Sequence, residues 1–146
     1  MKRVEFTAIC NADAQTTWKH FVAELWLKGA GLTPRMVVED AGDTTGNGAT
    51  RWIPVFGRLG IREAITLTQY PEYLQYQVMD LKTSAFPVRH HLGRVDFVPV
   101  DGGKTRVVWS IEYTPKPGSG WFVQMIVGYV IPNYLKALER ICANPS

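Results

Sequence analysis

Hydrophobic and polar positions follow three successive patterns along the chain. Arg3 to Cys10 is rich in β-formers (Val4, Phe6, Thr7, Ile9) and predicts a strand. Asn11-Ala12-Asp13 breaks it, and Asp13 is a good N-cap for a helix on which Trp18, Phe21, Val22 and Leu25 form one apolar stripe. That helix runs out at Gly29-Ala30-Gly31, with Pro34 marking a turn. Strand patterns then take over, with a first short one from Met36 to Asp40 and a polar loop from Ala41 to Gly48. Ala49 to Phe56 and Leu59 to Gln69 flank Gly57-Arg58, a two-residue hairpin signal. Tyr70-Pro71-Glu72 turns into Tyr73 to Leu81, and a looser stretch through Pro87 leads to His91 to Val100. Asp101-Gly102-Gly103 turns once more into Lys104 to Thr114. Strands joined through tight turns predict an antiparallel meander.

After the breaker cluster Pro115 to Gly120 the period changes again. In the second half of Trp121 to Cys142, Tyr134, Leu135, Leu138, Ile141 and Cys142 share one face, opposite Lys136, Glu139 and Arg140. Pro132 is expected to kink this long helix, because it lacks a backbone donor and crowds the preceding turn. The predicted fold class is α+β, one domain over 1–146: a curved antiparallel sheet of about six to seven strands against a long C-terminal helix, with two short helices after the first strand.

Composition narrows the function classes. The 146 residues are 46% hydrophobic and 20% charged, which suits a packed globular chain. A net charge of +3, with scattered Lys and Arg, gives no footprint for nucleic acid. No apolar run reaches the ~20 residues that span a bilayer, so no stable membrane insertion is expected. Cys10 and Cys142 cannot make a disulfide framework; they fall on apolar patterns, read as buried thiols, and fit a cytoplasmic location. Neither metal nor cofactor is expected. His90 and His91 are adjacent, so a strand points them to opposite faces, and no Cys-x-x-Cys or carboxylate triad accompanies them. Gly46-Asn47-Gly48 opens a strand rather than a helix, so it is not a dinucleotide fingerprint.

Several local phrases, in order, resemble the START-like superfamily, also called SRPBCC or helix-grip, in its polyketide cyclase/dehydrase and lipid-transport branch. They are Asn11-Ala12-Asp13-Ala14 running into Trp18, Gly46 to Arg51 opening a strand, and Arg62-Glu63 with Tyr70-Pro71 leading to Tyr76-Gln77-Val78. Gly102-Gly103-Lys104-Thr105-Arg106-Val107-Val108-Trp109 and a final helix ending in Leu135 to Ile141 complete the set, which spans nearly the whole chain. The resemblance implies a largely apolar cavity between sheet and long helix, used to carry or transform hydrophobic small molecules. The superfamily shares no active-site motif, so the fold transfers and the reaction does not.

Strand alternation nominates residues for such a cavity. Val107, Trp109, Ile111 and Tyr113 share a face, as do Val95 and Phe97, the trio Leu74, Tyr76 and Val78, and the trio Ile61, Ile65 and Leu67. Most read as ordinary core; the sharper reading makes Tyr76, Val78, Val95, Phe97, Trp109, Ile111 and Tyr113 ligand-binding walls. Projecting the buried face of the last helix backward adds Val127 and Gln124, the latter as a polar handle. Glu63 falls in phase with Ile61 and Ile65, and a carboxylate on an apolar face is costly unless paired. The hairpin register can set Arg51 opposite Glu63, either as a structural ion pair or as a catalytic or anchoring pair. Arg51 would then hold a ligand carboxylate or phenolate, with Glu63 orienting it or serving as base. His91 is a third candidate, as base or donor from one of the two adjacent histidines.

These observations leave three readings. The first is a carrier of a hydrophobic or aromatic, lipid- or polyketide-like molecule. The second is a cyclase/dehydratase-type enzyme using the same cavity. The third is a protein-interaction module working through the last helix, whose charge-free Trp121 to Ile131 stretch puts Phe122, Met125 and Tyr129 on an outer face. That stripe suits a partner, a homodimer contact or a membrane touch.

Overall fold

A computed structural model describes residues 1–33 and 35–143. Pro34, expected at a turn, lies outside the described residues. Strand β1 (Lys2–Cys10) leads into helix α1 (Ala14–His20), a π-helical turn (Phe21–Trp26) and a 3₁₀ turn (Gly29–Gly31). Strands β2 (Val37–Asp40), β3 (Thr50–Phe56), β4 (Leu59–Gln69), β5 (Tyr73–Met79), β6 (Val88–Val100) and β7 (Lys104–Pro115) follow, and α2 (Gly120–Ala143) ends the fold. The sheet is antiparallel throughout, in the order β1-β7-β6-β5-β4-β3-β2. The meander therefore holds, with β1 added to its far edge against β7. The architecture is the expected α+β helix-grip.

Local signals explain the boundaries. The Asp13 carboxylate accepts from the Thr16 backbone N–H at 2.8 Å, capping α1. Gly57 adopts a positive φ of 56°, which the tight β3–β4 turn demands and which glycine supplies without strain. Strand β6 begins at Val88, three residues before the expected start, so both histidines belong to it. Helix α2 runs through Pro132. Its buried stripe of Val123, Val127, Ile131, Leu135, Leu138 and Cys142 keeps one phase from end to end. The Asn133 Nδ2 donates to the Tyr129 carbonyl at 2.6 Å beside the proline, so the turn there keeps a hydrogen bond.

Inward alternation is as predicted for β5, β6 and β7, where Tyr76, Val95, Phe97, Trp109, Ile111 and Tyr113 are all buried. It fails at one point on β4. Pairing slips between Ile65↔Tyr76 and Leu67↔Gln75, so a bulge at Thr66 turns Leu67 outward although Ile65 stays buried. Cys10 and Cys142 are both buried free thiols, as expected.

Candidate functional site

Between the concave sheet face and α2 lies a cavity of ≈ 150 Å³. Ile53, Ile61, Ile111, Ile126, Val130 and Ile131 supply much of its apolar wall. Its polar points are Arg51 and Glu63 from neighbouring strands, Tyr76 on β5, His91 on β6, Thr33 after the 3₁₀ turn and Tyr134 on α2. Trp109, Phe86 and Val127 also face it.

The β3–β4 register sets Arg51 directly opposite Glu63. Arg51 Nε and Nη2 both donate to Glu63 Oε1, at 3.0 and 2.9 Å. Arg51 Nη1 donates to the carbonyls of Leu25 (3.2 Å) and Trp26 (3.0 Å). Those carbonyls close the π-helical turn, whose end leaves acceptors without a helical partner. The guanidinium carbon stands 4.1 Å from the Trp26 ring centre, a cation–π contact that helps compensate for lost water. Burial opposes the charge on Arg51, but the adjacent Glu63 carboxylate outweighs it and holds the guanidinium protonated. All three guanidinium nitrogens are hydrogen-bonded to protein. Arg51, only 4% exposed, is thus a clamp between sheet and π-turn. The structural-pair reading accounts for its contacts, and anchoring of a ligand carboxylate does not.

His91 occupies a break in the sheet. Pairing of β5 with β6 stops at Tyr76↔Gly93, and beyond it the Val78 backbone N–H donates to His91 Nδ1 at 3.2 Å instead of to a strand carbonyl. Burial presses the imidazole pKa down to about 4, partly opposed by the Glu63 charge, so the ring is neutral near pH 7. A neutral ring with Nδ1 accepting must carry its proton on Nε2. His91 therefore offers the cavity a donor, and in this tautomer it is not a general base.

Tyr76 completes the polar set. Its hydroxyl accepts from Trp109 Nε1 at 2.8 Å, leaving its own proton free to donate. Burial pushes that hydroxyl far above the usual phenol range, so it stays protonated. The ring lies across Gly93, where an added Cβ would sit 2.2 Å from ring carbons. Gly93→Ala is accordingly expected to displace Tyr76 and cost about 1–3 kcal/mol. Urea unfolding checks this, and Tyr76→Ala in the same chain should remove most of the Gly93→Ala penalty. A larger residue at Gly93 acts in the same way, by evicting Tyr76 rather than by filling empty space.

Of the residues expected at the site, Arg51, Glu63, His91, Tyr76, Trp109, Ile111 and Val127 converge on the cavity. Val78, Val95, Phe97 and Tyr113 are core residues away from its wall. Phe97, for instance, packs 5.0 Å from Trp18 and 5.8 Å from Phe21, beneath α1. Gln124 is exposed and makes no polar point inside. Residues advance about 100° around a helix, and the face α2 buries is centred on Val123, Val127 and Ile131, with Ile126 and Val130 on the cavity flank. Gln124 falls only about 60° from that centre but on the flank away from Ile126 and Val130, where Trp121 and Gly128 are also exposed, so it faces solvent. Thr33, Phe86 and Tyr134 were not anticipated. Tyr134 lay on the predicted apolar face and its hydroxyl was the available clue; here that hydroxyl is 3.3 Å from Thr33 Oγ1. Phe86 sits in an aperiodic loop with no signal. Among the described residues no group of three or more His, Cys, Asp or Glu could hold a metal ion.

Similar folds occur among solved structures. The protein XoxI from Bacillus cereus is 19% identical, with 99% of this chain and 97% of that chain covered and a TM-score of 0.69. A Thermobifida fusca protein is 21% identical over 95% of this chain and 91% of its own, with a TM-score of 0.72. Norcoclaurine synthase from Thalictrum flavum, solved with dopamine and hydroxybenzaldehyde, is 17% identical over 99% and 88%, with a TM-score of 0.72. At these identities the likeness is one of fold. No curated protein matches the chain. Residues 1–144 match the family described as polyketide cyclase/dehydrase and lipid transport, and the chain belongs to that family.

Proposed function

We propose that this protein binds a neutral, monocyclic aromatic molecule bearing a hydroxyl or similar polar substituent, in the cavity beneath α2. The observation that carries the reading is a small apolar chamber with unspent hydrogen-bonding capacity at one side. The Tyr76 hydroxyl proton and His91 Nε2–H are available donors, and Glu63 Oε2 makes no hydrogen bond among the described residues. Arg51 and Glu63 cancel in charge and His91 is neutral, which favours an uncharged ligand over a carboxylate. Size favours one ring: a dry cavity of about 150 Å³ takes up benzene, and a sterol or a multi-ring polyketide exceeds it. The norcoclaurine synthase fold, whose two bound molecules are each monocyclic aromatics, is consistent with that scale.

A second reading, proton-transfer chemistry of the cyclase/dehydratase kind, is favoured by one feature. The Glu63 carboxylate shares the cavity with the two donors, so an acceptor and a donor can meet the same bound molecule.

Titration with 4-hydroxybenzaldehyde and simple phenols, followed by tryptophan fluorescence and native mass spectrometry, tests the first reading. Saturable binding is expected. Tyr76→Phe should weaken it about tenfold, the loss of one net hydrogen bond. Ile126→Trp, which puts an indole into the chamber, should abolish it. A native mass equal to the bare polypeptide, with no saturable signal from any of these probes, would sink the proposal. Retained binding with product release, lost in Glu63→Gln, would promote the second reading.

A further inference from the structure

We propose that the end of the molecule surrounding the cavity mouth docks on the surface of an anionic phospholipid bilayer. The strand directions gather that end. β3 finishes there at Phe56 and β4 starts at Leu59; β5 finishes at Met79 and β6 starts at Val88; β7 finishes at Pro115, just before α2 begins. The same end holds several of the large apolar side chains most open to solvent, Phe56 at 78% and Trp121 at 70% with Val55 and Leu59 also exposed, and Met125 and Tyr129 (71%) extend the apolar surface along the first half of α2. Val55, Leu59, Met125 and Tyr129 each stand one or two positions from the cavity-wall residues Ile53, Ile61, Ile126 and Val130. Those four wall residues are themselves only half-buried, so the exposed apolar side chains neighbour the more open part of the cavity wall.

Charge is polarised along the same axis. Lys2, Arg58, Lys82 and Arg89 are exposed at the mouth end, with Lys116 nearby in the β7–α2 connection. The acids at this end are paired: Asp80 is bound to Arg62, which also pairs with Glu39, and Glu5 and Glu112 flank Arg3. The opposite end carries Asp13, Asp40, Asp43, Glu72, Asp101 and Glu139 against Lys19, Lys104, Arg106 and Arg140, so it has a slight excess of acid. Exposed aromatic rings flanked by cations match the headgroup region of a bilayer with anionic lipid. A second copy fits less well, because a two-fold contact through this patch would set like basic ends against each other. Among the described residues no helix is long and apolar enough to cross a membrane, so the contact is peripheral. The proposal does not rest on what occupies the cavity.

Sedimentation with phosphatidylcholine vesicles, with and without phosphatidylserine, tests it. The protein should pellet with the phosphatidylserine vesicles and be released by high salt. Arg58→Gln and Lys82→Gln should each lower partitioning about fivefold, whereas Lys19→Gln and Lys104→Gln at the far end should not. Phe56→Ser with Trp121→Ser should weaken binding at all lipid compositions, at an unchanged urea midpoint. Tyr76→Phe, a buried change that weakens the ligand site, should leave vesicle binding intact, which separates failure here from failure of the ligand reading. A supernatant protein with anionic vesicles overturns the proposal, as does an equal response to charge removal at both ends. Self-association in the ultracentrifuge that Phe56→Ser abolishes would assign the face to a second copy instead.

Discussion

Glu63→Ala is expected to destabilise the protein by about 3–5 kcal/mol, the cost of stranding one member of a buried ion pair. Arg51 has no alternative carboxylate beside it among the described residues. The variant would leave a guanidinium buried against two carbonyls and an indole, with its charge uncompensated. Against a total stability of about 5–15 kcal/mol, that loss should be obvious in urea unfolding. Glu63→Gln, which keeps an acceptor but removes the charge, should fall between wild type and Glu63→Ala. Replacing both partners, with Arg51→Met and Glu63→Leu, should recover much of the loss, since an apolar pair of similar volume avoids both desolvation penalties. A Glu63→Ala cost under about 1 kcal/mol, the range of an exposed pair, would show that the clamp is not what joins the π-turn to the sheet.

The second large effect is a loss of stability in mild acid, traced to His91. In the unfolded chain an imidazole titrates near 6.5, whereas burial brings His91 to about 4 in the fold. Above pH 6.5 both states are neutral at this group, and its proton uptake contributes nothing. As pH falls from 6.5 to 4, the unfolded chain gains a proton that the folded chain refuses, so stability declines. At 1.36 kcal/mol per pH unit the full decline is of order 3 kcal/mol. Protonation would also remove the Nδ1 acceptor that holds the Val78 N–H, so the unpaired stretch of β5 and β6 should open first. Urea midpoints across this pH range for wild type and His91→Gln measure the effect. The glutamine oxygen can still accept from Val78 but cannot titrate, so its profile should be flatter. Asp13, Glu39 and Asp43 are also held below their ordinary values, by hydrogen bonds first of all, and their contribution is lost at lower pH in both proteins. Parallel profiles for the two proteins would overturn the assignment to His91.

Both effects begin from positions that periodicity could locate but not interpret. The in-phase Glu63 and the Gly57-Arg58 turn pointed to a partner near Arg51, but an unbroken two-residue hairpin from Phe56↔Leu59 would set Arg51 against Ala64; the register shift between Pro54 and Phe56 brings Glu63 opposite instead, and no turn signal encodes it. The carbonyls of Leu25 and Trp26 that finish the clamp come from a π-helical turn, and that extra residue per turn has no signature in apolar spacing. His91 was legible as a polar residue on one strand face. Its proton position follows from the Val78 N–H, which is free only because β6 and β5 part company at Gly93. Leu67 and Gln124 went astray for a related reason, a bulge in one case and, in the other, a flank of the helix left open to solvent.

Composition, alternation and turn chemistry by themselves determined the antiparallel meander, the long amphipathic helix and the cysteines' burial, since each depends on neighbours within a few residues of one another. Only the tertiary structure decided that the chamber is about one aromatic ring in size, that Arg51 donates to Glu63 and to two carbonyls of the π-turn, and that His91 accepts the Val78 N–H at Nδ1 and so carries its proton on Nε2. Those properties depend on how side chains from β3 to β7, α2 and the π-turn fill one volume, and on which buried groups satisfy each other. Packing and polar satisfaction are set by residues distant in sequence, so no local pattern encodes them.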